Sequence, residues 1–504
     1  MFANVSSGAL IGINAQQVSV EVDISRGLPQ VLIVGLPDAS ISEAKERVKA
    51  AIKTSGFDIP LGRIVVNMAP ADLRKEGSHF DLPIAIGILI SSGQLKPVKN
   101  IWFVGELSLS GELKPSHGIL PITAAAKAHG IESIIVPKGN GKEASLIKGI
   151  KVYAANSLNE VVEILIDQNR ADQFLVPEQA FDANDGLEFK GQDLKYVKGQ
   201  YQAKRALEIA AAGGHNLLFV GEPGGGKSML AGCLPTILPP MTQEMALEVT
   251  KIYSVAGHLA SSGKSLIRTR PFRSPHHSIS GAGLIGGGSN PKPGEVSLAH
   301  HGVLFLDELA EFDKRTLDNL RQPIESGEVM IARARLSAQY PSRFLLIGAC
   351  NPYTGTKSKS VNRLVLSAPL WDRFGLIVWV PSLKAEELID FDSEKQESSE
   401  SVRERVFIAW ENQRQRYEKA GHIGMNNAQM RPKDIKEYCQ LSESAQSLLK
   451  RAVTDLALTG RTYDHVLRVS RTIADLASSQ SIEDEHIAEA VQYRVSQEAI
   501  LSMG

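Results

Sequence analysis

The sequence predicts an α/β protein in three parts. These are a compact N-terminal α/β domain, a phosphate-binding core on a parallel sheet, and a helical C-terminal domain. Three observations carry this expectation. Residues Gly221-Glu222-Pro223-Gly224-Gly225-Gly226-Lys227-Ser228 fit G-x-x-x-x-G-K-[ST], the spacing of a phosphate-binding loop. Around that loop, helical segments alternate with short runs that are apolar at nearly every position, as in strands of a parallel sheet covered on both faces. From residue 402 to 501 the apolar positions keep helical spacing throughout.

Residues 1–166 mix alternating strands (18–22, 31–34, 63–67) with helical patterns (41–54, 83–91) and read as one α/β domain. Residues 167–191 are rich in Asp, Gln, Asn and Glu and read as a linker. The core follows over 192–389, with apolar strands at 217–220, 302–306 and 344–349. Residues 390–401, acidic and serine-rich, read as a second, solvated linker. A helical lid domain occupies 402–504, and no internal repeat is evident.

A length of 504 residues suits about three domains. The formal net charge of -1 excludes a globally basic, nucleic-acid-coating protein, so any such site is a local patch. Cys233, Cys350 and Cys439 lie far apart and form no CxxC pair, which excludes a disulfide scaffold and a cysteine zinc cluster. The first ten residues lack the basic and apolar regions of a signal peptide, and no run of about 18 apolar residues exists. The expectation is a cytoplasmic chain with no membrane partner.

The motif context is chemical as well as structural. Leu217 to Val220 enter the loop as a buried strand, and a helix leaves it at Ser228. Backbone N–H groups and the helix N-terminus would receive phosphates, Lys227 would reach the β/γ-phosphates, and Ser228 would hold Mg²⁺. A second apolar strand ends in Asp307-Glu308. Asp307 would support Mg²⁺, and Glu308 would polarise the attacking water. Asn351 tips the third strand, where a polar side chain is costly without a partner, and reads as a γ-phosphate sensor. Arg373, in Trp371-Asp372-Arg373-Phe374-Gly375, looks like a finger donated to a neighbouring subunit's γ-phosphate. Arg461 and Arg468 are candidates for a second sensor reaching over the nucleotide, Arg461 favoured because it opens its helix. Gln200 is a candidate contact to the adenine. The pairs His276-His277 and His300-His301 are not expected to hold a metal, because adjacent residues point apart and carboxylate or Cys partners at ligand spacing are missing.

With these residues the chain resembles the AAA+ ATPases of the magnesium-chelatase-like branch, and within it the YifB/ComM family. The stretches 273–288, 293–302, 320–325 and 469–476 carry the resemblance, which covers essentially the whole chain. It implies ATP and Mg as cofactors and self-association into a ring, a homohexamer, with sites between subunits. Many family members carry a cysteine-rich insert after the sensor Asn. Residues 352–360 contain no Cys, so no metal is expected there.

Residues 75–82 and 105–131 resemble the proteolytic domain of Lon, which implies a ribosomal S5 domain 2-like fold. That chemistry needs a serine nucleophile and a lysine base. Gapless alignment puts His79 in the serine's place and Leu120 or Ile122 in the lysine's, so the domain is expected to be inactive.

Two uses of ATP remain. One is a DNA motor holding single-stranded and branched DNA by its backbone. Arg333 and Arg335 share one face of a strand before the sensor strand, and Arg270, Arg273 and Lys292 flank a glycine-rich insertion between the two acidic and phosphate motifs. The family resemblance implies a helicase that drives branch migration in natural transformation. The alternative is a chelatase-type chaperone that remodels a protein partner without DNA translocation.

Overall fold

A computed structural model describes residues 2–179, 192–259, 265–288, 291–333, 336–351, 366–383, 396–422, 424–456 and 458–494. Strands β1 (Phe2–Ile11) and β2 (Asn14–Ser25) form an antiparallel hairpin that pairs Val5 with Val20 and Ala3 with Val22. With β3 (Gln30–Val34), β4 (Arg63–Ala69), β5 (Ile101–Phe103), β6 (Ser133–Pro137) and β7 (Lys151–Ala155) they build one mixed sheet, in the order β3-β4-β2-β1-β5-β6-β7. Helices cover both faces. A Cβ on Gly87, in helix Asp81–Ser91, would lie 2.5 Å from Val22, beside Val5. A Cβ on Gly8 would lie 2.9 Å from Ile122, in helix Ile119–Ala128. Positions 5 and 8 of one strand point to opposite faces, so the two helices sandwich the sheet.

Part of the stretch read as a linker continues this domain. Gln168–Ala171 form a helical turn, Ala171 is buried, and the Val176 amide donates to Val152 O at 2.9 Å. Polar composition there marks an outer surface laid along β7. Residues 180–191 and 384–395 lie outside the described residues.

The core sheet holds β8 (Leu217–Val220), β9 (Phe272–Arg273), β10 (Val303–Leu306), then, after a separate hairpin β11 (Glu328–Arg333) and β12 (Leu336–Pro341), β13 (Leu345–Cys350) and β14 (Leu376–Trp379). The order is β9-β10-β13-β8-β14, all parallel. Leu217 and Phe219 pack towards helices Tyr201–Gly213 and Lys227–Ile237, while Leu218 and Val220 join Leu309, Phe312 and Phe374 on the other face. Coverage on both sides explains why these strands are apolar without alternation. β8 lies between the fourth and fifth strands of the core, so the strand order reverses there. A crevice at the carboxyl end of such a switch point is where open α/β sheets bind ligands.

The lid starts with helix Ser399–Lys419, packed on the helices at 201–213 and 227–237. Helix Gly460–Leu476 carries a buried polar network. Arg471, 2% exposed, pairs with Asp475 at 2.9 Å and donates to Ser479 O and Gln480 O. Asp475 also accepts from Arg416 and from Asn427, and Thr472 meets His215 of the core at 2.7 Å. A buried charge with every donor engaged fixes one packing of the lid on the core.

The first domain docks on the core through helix Gln243–Ala256. Leu120 and Leu146 pack on Met241, Ala246 and Val249. The buried Glu143 carboxylate accepts from Leu120 N, Asn140 Nδ2 and Ser254 Oγ. Of the positions matched to a protease dyad, Leu120 and Ile122 are buried in packing and His79 is buried with Nε2 on Gly8 O at 3.0 Å.

Four histidines are held as neutral rings. Burial pushes His79 and His300 down to about 4, and His215 and His465 down to about 3. Below 6.5 the unfolded chain takes up protons that the folded chain refuses, so stability falls as pH drops from 6.5 towards those values. Asp81, pushed up to about 6 by burial, acts in the opposite sense between 3.8 and that value. The expected result is a Tm that falls steadily from about pH 7 to about pH 5. A flat or rising Tm in thermal melts over that range would contradict neutral burial of the rings.

Candidate nucleotide site

The phosphate loop lies at the carboxyl end of β8. Gly221 is obligatory, because a Cβ there would sit 2.0 Å from Val380 O. Gly224 and Gly226 have φ of +83° and +86°, and a Cβ on either would meet open space. Glycine is needed there for its backbone freedom, which curls the loop round an empty cradle. Helix Lys227–Ile237 begins at the end of this loop, so its first N–H groups face the cradle without helical partners. Lys227 is buried, and its ammonium donates to Gly221 O at 2.8 Å and Glu222 O at 2.7 Å. Burial lowers its pKa, against the raising influence of Cys350, Asp307 and Glu222. An anion in the cradle would relieve that desolvation. Glu222 is held by Ser382 Oγ at 2.6 Å.

Ser228 Oγ donates to Asp307 Oδ2 at 2.6 Å, although β13 separates their strands. The two expected Mg²⁺ ligands therefore stand side by side. Octahedral Mg²⁺ places neighbouring ligand oxygens about 3 Å apart, so a small opening of this pair would admit the ion. Asp307 Oδ1 accepts the Glu308 amide at 2.9 Å, and Glu308 has a left-handed backbone, φ +49°. Asn351 follows the last residue of β13, next to the point where Gly221 N donates to Cys350 O. Gln200 also reaches the loop, where its amide donates to Gly225 O at 3.1 Å and Pro381 O at 2.7 Å. Its Nε2 braces the loop against the chain beyond β14. These residues fit a Mg-bound nucleoside triphosphate.

The arginines lie elsewhere. Asn216, before β8, donates to Arg373 O at 3.0 Å and accepts the Gly375 and Leu376 amides on its own carbonyl. Leu217 pairs with Leu376 and Val220 with Trp379, in parallel. Arg373 thus sits at the amino edge of the sheet whose carboxyl edge holds the phosphate loop. Its guanidinium pairs with Glu325, and its Nε is buried with no partner among the described residues. Arg461 joins it there, with Nη1 3.4 Å from Asp372 Oδ2 and its side chain 66% exposed. Arg468 is partly buried in the same helix.

Residues 193–388 match the family described as "Magnesium chelatase, subunit ChlI", residues 20–140 "Subunit ChlI of Mg-chelatase", and residues 396–494 "Magnesium chelatase, subunit ChlI C-terminal". "Competence protein ComM" of Haemophilus influenzae is 44% identical over 510 residues, 98% of this chain and 97% of that one. The chain belongs to the ComM/YifB family of magnesium-chelatase-like AAA+ proteins. Another family member, "Uncharacterized protein YifB" of Escherichia coli, is 42% identical over 97% of this chain and 96% of its own. The "Magnesium-chelatase 38 kDa subunit" of Acidiphilium rubrum matches 36% of this chain at 30% identity, covering 57% of its own length. No helix among the described residues is long and apolar enough to cross a membrane.

Two residues expected on a DNA surface are engaged inside the chain. The Arg270 guanidinium donates to Pro239 O and His301 O, both at 2.6 Å, and burial pushes its pKa down to about 10. Arg273 makes a two-pronged pair with Glu295, at 2.6 and 2.7 Å. Fork-to-fork geometry satisfies a guanidinium without phosphate. Lys292 is exposed on a short strand pair that joins Gly286–Gly287 to Lys292–Pro293. Arg333 ends β11, where its backbone pairs with Leu336 of β12. The Arg333 side chain and Arg335 lie outside the described residues.

The expectation that adjacent histidines point apart fails at both pairs: the His276 and His277 rings lie 4.0 Å apart, and at His300 and His301 a carboxylate partner is present as well. His301 has φ +55°, the rings lie 3.9 Å apart, and both Nε2 atoms face Glu248 Oε2, at 3.2 and 2.8 Å. This is ligand spacing. Yet His300 Nδ1 accepts the Arg343 amide at 3.0 Å, so its proton resides on Nε2 and points at the carboxylate. That tautomer has no lone pair for a cation. Sequence reading also missed Glu325 and His277. His277 Nδ1 is 3.4 Å from Glu308 Oε2.

Proposed function

We propose that the chain is one subunit of a ring, a homohexamer, that hydrolyses ATP with Mg²⁺ and uses the energy to move DNA. The observation that carries the ring is the separation of the two halves of the site. A four-residue strand spans about 13 Å, so Arg373 and Arg461 at the amino edge serve a neighbour's nucleotide rather than their own. Arg461 then acts as a second sensor from the same edge as the finger. On assembly Arg373 exchanges Glu325 for the neighbour's γ-phosphate. In each site Lys227 and the loop amides hold the phosphates, Ser228 and Asp307 hold Mg²⁺, Asn351 orients the attacking water, and Glu308 takes its proton. The bond to the ADP oxygen breaks as the water oxygen reaches phosphorus.

Two things support DNA as the track. A relative 44% identical over nearly the whole chain is named a competence protein, and the sequence carries Arg333 and Arg335 two residues apart ahead of the sensor strand. This fits branch migration during integration of imported DNA, in the cytoplasm. The test is ATP turnover with single-stranded, duplex and branched DNA at low and high salt. DNA raises turnover several-fold at low salt, and Arg333→Ala/Arg335→Ala abolishes the rise while basal turnover persists. Absence of stimulation at low salt moves the reading to a chaperone acting on protein.

A further inference from the structure

We propose that Arg494 is a positioning residue that holds Arg373 and Arg461 at a fixed spacing, so that the two serve one neighbouring nucleotide together. The inference rests on the reading of both arginines as acting on the next subunit. They belong to different parts of the chain, Arg373 to the core and Arg461 to the lid. Their direct link is weak, because Arg461 meets Asp372 at 3.4 Å with its own side chain largely exposed. Arg494 supplies a second link. It stands just past helix Asp484–Gln492, and its guanidinium is shared between two acceptors. Nη1 donates to Phe374 O at 2.6 Å, and Nη2 donates to Thr462 Oγ1 at 3.4 Å. Phe374 follows Arg373 in the chain, and Thr462 follows Arg461.

The brace is itself held. The Tyr493 carbonyl accepts the Ile377 amide at 2.9 Å, which ties the residue before Arg494 to β14, just beyond the finger. Tyr493 is buried. Thr462 belongs to the capping turn of helix Gly460–Leu476, where its amide donates to the Thr459 hydroxyl at 3.3 Å. A displacement of Thr462 therefore displaces the turn that carries Arg461. Burial lowers the pKa of Arg494, against the raising influence of Asp372, the carboxylate that also faces Arg461. A guanidinium makes both bonds at once because its donors diverge in a rigid plane, whereas an ammonium is a single point. Arg494 gives no proton to the reaction. It acts through the placement of the two arginines.

The test uses the full chain. Methionine at 494 keeps an unbranched stem without donors, and lysine keeps the charge but reaches one acceptor at a time. Arg494→Met lowers kcat about tenfold with KM for ATP unchanged, and Arg494→Lys recovers less than about half of that loss. The decisive readout is turnover of Arg494→Met mixed in equal amounts with Lys227→Ala, which lacks a working loop but keeps both arginines and their brace. If Arg494 serves the neighbour's site, about a quarter of the junctions join an intact loop to an intact edge, and turnover reaches about a quarter of wild type. If it only keeps its own subunit folded, the mixture stays at about a twentieth, half the value of Arg494→Met alone. That lower value overturns the proposal. So does a kcat for Arg494→Met within about twofold of wild type, or full activity in Arg494→Lys, which shows that charge alone suffices. Should methionine unfold the chain in thermal melts, the mixture is read on Arg494→Lys. Turnover above half of that variant's own value then supports the brace, and half overturns it. Arg373→Ala mixed with Lys227→Ala is the control. No recovery there overturns the reading of the finger itself, whatever Arg494 does.

Discussion

Lys227→Ala reduces ATP turnover at least a hundredfold while the chain stays folded. The ammonium is buried and, among the described residues, hydrogen-bonded to the Gly221 and Glu222 carbonyls, both within the loop it serves. Those bonds are replaceable by water once the side chain is cut back, and the desolvation that depresses its pKa disappears with it. The ATP-free fold therefore changes by about 1 kcal/mol at most. With nucleotide present the same charge stands in a dry site against developing phosphate charge, where losing one such group costs about 3–4 kcal/mol in the transition state. Turnover assays paired with thermal melts check both halves. A variant within tenfold of wild type would remove Lys227 from the chemistry.

Arg373→Ala is expected to lose about a thousandfold in turnover, the scale of a finger that completes a phosphoryl-transfer site. The stronger prediction is rescue by mixing. A subunit with Arg373→Ala keeps its loop, and one with Lys227→Ala keeps its finger. In a randomly mixed ring at equal amounts, about a quarter of the junctions bring an intact loop to an intact finger. Activity therefore reappears at about a quarter of the wild-type value from two inactive preparations. If no mixing ratio restores activity, Arg373 acts within its own chain or only through its pair with Glu325.

The loop, Asp307 and Glu308 were legible because each is a contiguous run at a strand end. The apolar strands were legible because burial on both faces leaves little room for polar residues. What escaped depends on register and backbone sign. Nothing in the residues around 277 announces that β9 will lie beside β10 and bring His277 to Glu308. Nor does a pair of histidines reveal that one takes a left-handed backbone and turns both rings onto Glu248. Arg270 and Arg273 were misread for a related reason. A count of basic residues near a glycine-rich insert cannot separate a guanidinium facing solvent from one closed on carbonyls or on Glu295. Arg471 shows the same limit in the lid, where a charge at helical spacing proved fully enclosed.

Arg373 and the phosphate loop lie at opposite edges of one sheet, so a chain working as proposed is directional, with a donor end and an acceptor end. Repeated head-to-tail joining of such a piece has two outcomes. It closes on itself if the rotation per step divides a full turn, and otherwise it grows into an open filament. A closed assembly uses every donor and every acceptor. An open one always wastes one of each at its ends, and a lone chain wastes both. Specific turnover should therefore climb with protein concentration and then level off at the concentration where closure is complete.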